Sequence, residues 1–366
     1  MAGRPSGRDT PDLRADRAVP RADRVPDDPG LRVPRLTVLE ITYLDGAAVE
    51  AAALTDDEIL DCIRGVLAEQ GRAQTVIEPR AHLFPRGANG HFNVLRGATA
   101  RHAGVKVVGD YVDNHLRGLP SELALLLLMD PETGVPVAIL DATAITEIRT
   151  GAVTAIGAEC LARAGARTLG HIGARGTAYW NVRLLCRVLP SLEVIRVHSR
   201  RPESREAFAH RLREDLGRDV RVTDSWEECV RGADVVVEAS RLSEPEPLLR
   251  TAWISPGALV IPYGTVSAVQ LDLVDVMDKV VVDDWGQARV GPLGALRAHV
   301  DSGRLSEANL YAELGQIVAG DRPGRERDRE TILFWHRGLS ITDIALGEAL
   351  LAKARGRRLG TQLAYR

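Results

Sequence analysis

One short segment lies between a predicted strand and a predicted helix, and it reads Gly170-His171-Ile172-Gly173-Ala174-Arg175-Gly176-Thr177-Ala178. A dinucleotide-binding turn needs one glycine for the tight turn, a second where the backbone approaches the pyrophosphate, and Gly or Ala where the helix packs on the strand. Gly173 and Ala178 occupy the first and third of these places, whereas Arg175 occupies the second, where a side chain should crowd the phosphates. We therefore predict dinucleotide binding at residues 173–178, with a glycine-rich turn that only packs as the alternative.

Strands and helices alternate around this segment. The predicted strands are residues 167–172, 193–198, 220–222, 234–239, 258–262 and 279–283, and the predicted helices between them are residues 178–188, 204–216 and 226–231. This alternation is typical of a parallel, doubly wound sheet of the Rossmann type, in an α/β protein.

The first part of the chain has a different pattern. It combines a strand at residues 36–43, a helix capped at Thr55, a strand at residues 105–109, a hairpin over residues 123–140 and a helix at residues 146–164. We interpret it as an α+β domain. A strand at residues 332–335 and a helix from residue 341 end the chain, and we expect this last helix to return to the first domain.

The second strand of the predicted sheet ends at Ser199, which two arginines follow, Arg200 and Arg201. An NAD-specific site usually ends this strand with a carboxylate that binds the ribose 2′-hydroxyl, whereas an arginine accommodates a 2′-phosphate. We therefore predict that NADP(H) is favoured over NAD(H), with a solvated pair of surface charges as the alternative.

Composition excludes several classes of protein. The 366 residues carry a formal charge of −3 and are 45% apolar, so they predict two globular domains without an electrostatic footprint for nucleic acid. The longest apolar run, residues 123–129, is too short to span a bilayer. Four cysteines lie far apart with no histidine at metal spacing, so neither a disulfide framework nor a metal site is expected. Residues 1–32 are rich in Arg, Asp and Pro without an apolar signal segment, which predicts a disordered leader on a cytoplasmic protein.

Short motifs in a particular order give the chain a likeness to a known family. They are Glu78-Pro79-Arg80, Ala103-Gly104-Val105-Lys106, Thr146-Glu147-Ile148-Arg149-Thr150-Gly151-Ala152, the turn at residues 170–178, Gly232-Ala233-Asp234, Val282-Asp283-Asp284, Glu313-Leu314-Gly315, residues 320–325 and residues 338–343. With these motifs the chain resembles the ornithine cyclodeaminase/mu-crystallin family from about residue 36 to residue 359. The resemblance implies a substrate and dimerisation domain built from both chain ends (residues 33–145 and 331–366), a Rossmann domain (residues 146–330), an active site between them, and a homodimer.

The same resemblance implies that Arg80, Lys106 and Arg149 line the substrate pocket. Two guanidinium groups can hold an α-carboxylate, and a lysine whose pKa is lowered by cationic neighbours can exchange a proton with an amine or imine. Asp343 is expected either to bind the substrate amine or to cap the helix that begins beside it. His336 is predicted either to face the pocket or to pack in the core, and His91 is a further candidate contact.

The predicted cofactor contacts follow from the turn, the second strand and the resemblance. They are Gly173, Ala174, Arg175, Gly176, Thr177, Ala178, Ser199, Arg200 and Arg201, to which the resemblance adds Thr150.

Two departures from the family pattern bear on the activity. Arg175 stands where the family has glycine. In addition, residues 263–271 contain no carboxylate, although cyclodeaminases of the family carry a catalytic Asp in the corresponding turn.

We therefore predict a NAD(P)-dependent oxidoreductase that moves hydride to or from the α-carbon of a small amino or imino acid. Imine or ketimine reduction is favoured because it needs one proton donor and no further carboxylate. An amino-acid cyclodeaminase is the first alternative, and a non-catalytic, crystallin-like dinucleotide- or ligand-binding protein is the second.

Overall fold

The computed structural model describes residues 38–174, 176–242, 244–264 and 266–366. The predicted leader at residues 1–32 lies outside these ranges, as does Arg175 of the glycine-rich turn. In the described ranges the strands are β1 (Glu40–Leu44), β2 (Val76–Leu83), β3 (His91–Ala98), β4 (Ala103–Asp110), β5 (Glu122–Met129), β6 (Pro136–Asp141), β7 (Thr168–Ile172), β8 (Val194–His198), β9 (Asp219–Val222), β10 (Val235–Glu238), β11 (Leu259–Pro262), β12 (Lys279–Val282), β13 (Ala312–Glu313), β14 (Ile332–Trp335) and β15 (Thr361–Ala364). The α-helices are α1 (Gly46–Ala51), α2 (Asp56–Gly71), α3 (Thr143–Leu161), α4 (Ala178–Val188), α5 (Pro202–Leu216), α6 (Trp226–Val230), α7 (Trp285–Ala288), α8 (Arg297–Asp301), α9 (Leu314–Val318) and α10 (Ser340–Arg357).

The predicted parallel sheet is present, with the strand order β13-β12-β14-β11-β10-β7-β8-β9. All of its paired strands run parallel. Every residue of β10, β11, β12 and β14 is buried, as expected when a parallel sheet is covered on both faces. The fold class predicted from the alternation of strands and helices is confirmed.

A second sheet is mostly antiparallel and has the order β15-β1-β6-β5-β4-β3-β2. The predicted hairpin forms its β5 and β6, and Thr55 caps α2 through a capping box with Glu58. The last strand, β15, pairs with β1, and α10 packs on β3, β4 and β5. Both ends of the described chain therefore contribute to this sheet.

The chain crosses from one sheet to the other between β14 and α10. Strand β14 pairs with β11 and β12 in the parallel sheet, whereas the helix after it packs on the antiparallel one. The sequence-based boundary at residue 331 lies before this strand, so the pairing of β14 moves the crossing past residue 335. Helix α3, which follows β6 in the chain, approaches α4 closely at Gly151. An added Cβ atom there would lie 2.5 Å from the Trp180 backbone.

The sequence predicted no element for residues 76–98, which form β2 and β3. Pro79 cannot donate to a neighbouring strand, and the pairing of β2 with β3 shifts register between Glu78 and Ala81. The resulting bulge interrupts the alternation by which a strand is recognised. None of the described helices is long and apolar enough to cross a membrane.

Candidate active site

A cleft of about 740 Å³ lies between the two sheets. One wall comes from the antiparallel sheet and α3, and the other comes from the loops that follow the parallel strands. The predicted site residues that line it are Arg80, Arg149, Thr150, Gly173, Ala174, Gly176, Thr177, Ser199, Arg200 and Arg201. The predicted dinucleotide turn and the predicted carboxylate-binding arginines thus share one cavity.

The glycine-rich turn has the backbone that close approach of a phosphate group requires. Gly173 has φ +109°, and a Cβ atom there would lie 2.7 Å from the Ala239 carbonyl oxygen. Gly176 also has positive φ, and nothing lies within 4 Å of where its Cβ atom would be. Helix α4 begins directly afterwards at Ala178, and its N-cap residue Thr177 makes no capping bond through its side chain. The turn and the helix start therefore fit the pyrophosphate of a dinucleotide, which takes hydrogen bonds from free backbone N–H groups.

A polar cluster ties this turn to the end of β11. The Thr177 hydroxyl lies 2.7 Å from the Tyr263 hydroxyl, and Asn181 Nδ2 donates to that hydroxyl at 2.9 Å. Burial raises the pKa of Tyr263 above its ordinary value, so its hydroxyl stays protonated. Tyr263 lines the cleft and was not among the residues predicted from the sequence.

The end of β8 places Ser199, Arg200 and Arg201 on the cleft wall, as the NADP(H) prediction requires. Arg200 Nη2 lies 2.8 Å from Glu246 Oε2, and both side chains are exposed. Arg200 is therefore accessible but already has an ionic partner, whereas no such partner is found for Arg201 among the described residues.

Helix α3 presents one polar face to the cleft. Thr143, Thr146, Glu147 and Thr150 line it at the i, i+3, i+4, i+7 spacing of a helix face. Burial and the nearby Glu122 raise the pKa of Glu147 to about 7. The sequence analysis quoted Glu147 in a motif without assigning it a role.

Lys106 and Asp343 form the centre of a buried ionic cluster. Lys106 Nζ lies 2.5 Å from Asp343 Oδ1 and 2.9 Å from the Thr146 hydroxyl, and Arg149 Nε donates to the same Asp343 oxygen at 3.1 Å. Burial lowers the pKa of Lys106 to about 8, with Asp343 opposing the shift and Arg149 adding to it. Asp343 lies in the first turn of α10, but its side chain pairs with Lys106 and Arg149 and is not the helix cap.

Lys106 lies directly behind the cleft wall. It shares the inner face of β4 with Val108, whereas Val107 is exposed on the outer face, as the alternation of side chains along a strand requires. Neither Lys106 nor Asp343 is among the residues that line the cavity, although both are named in the predicted site. Their contacts Thr146 and Arg149 separate them from it.

Two features of the backbone position the arginines. Gly338 has φ +80°, and any side chain there would collide with the guanidinium of Arg149. The bulge after Pro79 shifts the inward face of β2 to Arg80, whose Nη2 donates to the Arg337 carbonyl at 2.6 Å. The two predicted carboxylate-binding groups are therefore held against the same short segment between β14 and α10.

The two histidine candidates lie at different places. His336 is fully buried yet lines the cleft, stacks on Tyr263 with ring centroids 4.9 Å apart, and bonds to the Thr154 hydroxyl at 2.9 Å. Burial lowers its pKa to about 3, so it stays neutral. His91 lines a small side pocket with Arg80 and lies against Phe84.

A charged contact across the cleft was missed from the sequence. Asp110 and Glu122 are opposite each other on β4 and β5, and both form ion pairs with Arg241, which follows β10. Asp110 lies four residues after Lys106, on the same face of β4, and this period-two spacing was the available signal. The described residues contain no group of three or more His, Cys, Asp or Glu side chains that could hold a metal ion.

Fold and cleft together define a two-domain α/β protein of the Rossmann type whose cleft is suited to a dinucleotide. The sequence model of the ornithine cyclodeaminase/mu-crystallin family matches residues 43–357, in agreement with the order of the segments and with the site. The chain belongs to the ornithine cyclodeaminase/mu-crystallin family.

Relatives match over nearly the full described chain. The alanine dehydrogenase of Archaeoglobus fulgidus is 27% identical over 331 residues, which are 89% of this chain and 99% of that protein. The solved structure of Thermococcus litoralis delta(1)-pyrroline-2-carboxylate reductase in complex with NADH and L-proline has a TM-score of 0.81 at 27% identity, covering 88% of this chain and 99% of that chain. The solved structure of an archaeal alanine dehydrogenase dimer with bound NAD has a TM-score of 0.82 at 27% identity. The match covers 90% of this chain and 100% of that chain.

These similarities confirm the predicted family. They also agree with the predicted class of enzyme, since these three relatives are dehydrogenases or reductases and both solved structures hold a nicotinamide dinucleotide. The preference for NADP(H) stays a prediction.

Proposed function

We propose that this protein reduces the C=N bond of a small imino acid to the corresponding amino acid, or runs the reverse oxidation, with NADP(H) as the favoured cofactor. One observation carries the proposal. A single cleft contains the dinucleotide turn, two guanidinium groups suited to a carboxylate, and a buried Lys–Asp pair directly behind its wall.

Arg80 and Arg149 are the groups we assign to the substrate carboxylate. Arg149 uses Nε for Asp343, which leaves the outer nitrogens of its guanidinium for a ligand. Arg80 Nε is buried without a hydrogen-bond partner among the described residues. A carboxylate between these side chains supplies acceptors for both and offsets their mutual repulsion.

Lys106 is the group we assign to proton transfer, with Asp343 as its counter-ion. A lysine with a pKa of about 8 is divided between its two protonation states near neutral pH, as an acid/base group must be. Because Lys106 lies behind the wall, we propose that its proton passes through the Thr146 hydroxyl, which accepts from Nζ at 2.9 Å and also lines the cleft.

A bound nicotinamide supplies the hydride in this reaction. The turn at Gly173, Ala174, Gly176 and Thr177, the start of α4 at Ala178, and Thr150 on α3 are the residues we assign to hold the dinucleotide. Arg175 belongs to the same turn by sequence. Arg200 and Arg201 are assigned to the 2′-phosphate, which is the basis for favouring NADP(H).

Reduction is favoured over cyclodeamination by the residues after β11. Residues 263–271 contain no carboxylate, and Asp272 is exposed and accepts from Thr251 and Gln270. Ring closure with loss of ammonia needs a further acid to position the reacting groups, and this segment does not supply one.

We also propose a homodimer with the antiparallel sheet at the subunit contact, since an archaeal alanine dehydrogenase with the same fold is a dimer. Residues 33–145 and the segment after β14 form the substrate and dimerisation domain in this proposal, and the remainder forms the dinucleotide domain. The four cysteines are free thiols, which agrees with a cytoplasmic location.

The test begins with fluorescence titration of the purified protein with NADPH and NADH. Cyclic imino acids, and 2-oxo acids mixed with ammonia, are then screened for oxidation of the bound cofactor, and diamino acids are screened for ammonia release without net oxidation. Net oxidation supports the proposal, ammonia release alone supports cyclodeamination, and dinucleotide binding without either supports a non-catalytic binding protein. Failure to bind either dinucleotide contradicts both the reductase and the cyclodeaminase.

A further inference from the structure

Three guanidinium groups act on one another beside the substrate end of the cleft. Arg80 is influenced by both Arg149 and Arg337, and these charges add to burial in lowering the pKa of Arg80 to about 9. Of these three arginines, only Arg149 lies within ion-pair distance of a carboxylate of the described residues. That carboxylate belongs to Asp343. The proposed function assigns two of these guanidinium groups, Arg80 and Arg149, to one α-carboxylate, so Arg337 is left without a role in binding it.

Arg337 and Arg80 meet at a side pocket of about 50 Å³ that also borders the main cleft. His91 and Asn93 complete its polar lining on the side of β3. Because about 10–15 Å³ of such space holds one water molecule, the pocket has room for a group the size of a carboxylate.

The charges around this pocket are unbalanced. Asp343 and Asp283 are the carboxylates that act on Arg80, against the cations Arg149 and Arg337 and the charge of Arg80 itself. Asp283 already accepts from the backbone N–H groups of Arg337 and Gly338. Lys106 adds a fourth positive charge to the cluster, since it is coupled to Asp343, Arg149 and Arg80. Against these four cations, the two carboxylates and a single substrate carboxylate leave one buried positive charge uncompensated.

Asp110 also lines the side pocket, but it forms an ion pair with Arg241 from across the cleft. Its negative charge is therefore compensated mainly by a group outside the arginine cluster, because Glu122, the other carboxylate that pairs with Arg241, lies farther away at 3.7 Å and is partly exposed. The remaining contacts of Arg337 are structural, because its Nη1 donates to the Gln287 and Val290 carbonyls at 3.1 and 2.7 Å. Its Nε and Nη2 have no hydrogen-bond partner among the described residues.

We infer that the substrate is a dicarboxylic amino or imino acid whose second carboxylate binds in the side pocket between Arg80 and Arg337. The inference rests on the proposed function, in which Arg149 and Arg80 hold the α-carboxylate. It narrows the substrate class from small amino and imino acids to those with an acidic side chain.

The test compares ligands that differ only in the second charge. Calorimetric titration of the protein saturated with the oxidised dinucleotide uses L-aspartate against L-asparagine and L-glutamate against L-glutamine, so that two chain lengths are covered. At least one acid is expected to bind about 10- to 100-fold more tightly than its amide, the range of a charge-assisted contact. Arg337→Met should remove this difference.

Arg213→Met is the matched control, because Arg213 also donates to a main-chain carbonyl, that of Val220, but outside the cleft. It should keep the acid-to-amide ratio of the wild type. Arg337→Gln retains an amide donor for the two carbonyls and serves if the methionine variant does not fold. Equal binding of acid and amide by the wild type overturns the inference, and so does a ratio that survives in the Arg337 variants.

The inference and the proposed function fail in different ways. Turnover of L-alanine or L-proline with the oxidised dinucleotide, without any preference for the acids, leaves the reductase proposal standing and overturns the dicarboxylate. Absence of turnover and of binding for every amino acid overturns both.

Discussion

Lys106 Nζ lies 2.5 Å from Asp343 Oδ1, and both side chains are almost completely shielded from solvent. Burial alone disfavours the charged lysine, whereas the carboxylate favours it, and the balance lowers its pKa to about 8. The pair is held between β4 and α10, two elements far apart in the chain. A group that exchanges protons near neutral pH is thus built into the packing of the antiparallel sheet.

Lys106→Met keeps the aliphatic bulk but removes the exchangeable proton. Turnover is expected to fall by about 10²- to 10⁴-fold, the usual contribution of an acid/base group. The affinity for the dinucleotide should stay near that of the wild type, because Lys106 does not line the cleft. Steady-state kinetics and fluorescence titration measure the two quantities.

Lys279→Met is the control for the loss of a buried lysine. Lys279 is also almost fully buried and pairs with Glu326, but it lies outside the cleft. This variant should retain turnover at a temperature where it is folded. Full turnover by Lys106→Met would show that Lys106 is a structural residue. His336 and Asp343 would then be the candidates for the acid/base group.

The pH dependence should differ between the two directions of the reaction. Lys106 is protonated below its pKa of about 8, so the reductive rate should be level below this pH and fall as the pH rises through it. The oxidative rate needs the neutral amine and should rise through the same pH. Asp343→Asn removes the attraction that favours the charged form, so the inflection should move to lower pH. An inflection that stays in place in that variant would separate Lys106 from the observed titration.

Thr146→Val tests the path of the proton. Valine has nearly the shape of threonine but cannot accept from Lys106 Nζ or donate to a substrate. Turnover should fall at least 10-fold with little change in KM, because the hydroxyl contributes to proton transfer and not to carboxylate binding. Thr143→Val, on the same helix face and also lining the cleft, is the control. Equal turnover by the wild type and Thr146→Val would show that Lys106 reaches the substrate without this hydroxyl.

The parallel sheet was predictable from the sequence because its strands are short apolar runs bounded by turns. Strands β10, β11 and β12 each consist of four buried residues, and this local pattern does not depend on their partners. The placement of β14 was not predictable in the same way. Its sequence fits any buried strand, and only pairing with β11 and β12 assigns it to the parallel sheet.

The residue types of the site were predictable from the sequence, but which of these side chains line the cleft was not. Arg80, Lys106 and Arg149 converge, yet whether a side chain lines the cleft or stands behind it depends on contacts between distant elements. Lys106 is covered because Asp343 comes from α10 and Thr146 from α3. The spacing along β4 places Asp110 on the inner face, but no local pattern indicates that its partner is Arg241, on the other sheet.

Cofactor preference should depend on how Arg200 and Arg201 are engaged. The exposed pair between Arg200 and Glu246 is weak, so a 2′-phosphate should displace the carboxylate. NADPH is expected to bind about 10- to 100-fold more tightly than NADH. Glu246→Gln should strengthen NADPH binding up to about fivefold and leave NADH unchanged.

Removal of the positive charge of Arg200 or Arg201 should weaken the binding of NADPH. Arg200→Gln and Arg201→Gln should each lower the affinity for NADPH, whereas Arg221→Gln, an exposed arginine paired with Asp219 on β9, should not. Fluorescence titration with both dinucleotides gives the ratios. Equal dissociation constants for NADPH and NADH in the wild type would contradict the assignment of these arginines.

The outer face of the antiparallel sheet should form the subunit contact. Val107 and Leu125 stand directly opposite each other on β4 and β5 and are 37% and 49% exposed, while Lys106 and Val108 point to the inner face that α10 covers. Exposed apolar pairs of this kind mark an interface when they extend along a sheet, and Leu123 continues the row. Two-fold pairing of this face in a homodimer buries all three side chains.

Leu125→Glu places a charge in the centre of that face and should convert the dimer to a monomer. Light scattering at micromolar concentration should give twice the mass of one chain for the wild type and the single mass for the variant. Val276→Glu is the control, because Val276 is equally exposed but precedes β12 in the parallel sheet. It should leave the dimer intact. A monomeric wild type at this concentration would contradict the dimer, and a dimeric Leu125→Glu variant would place the contact elsewhere on the molecule.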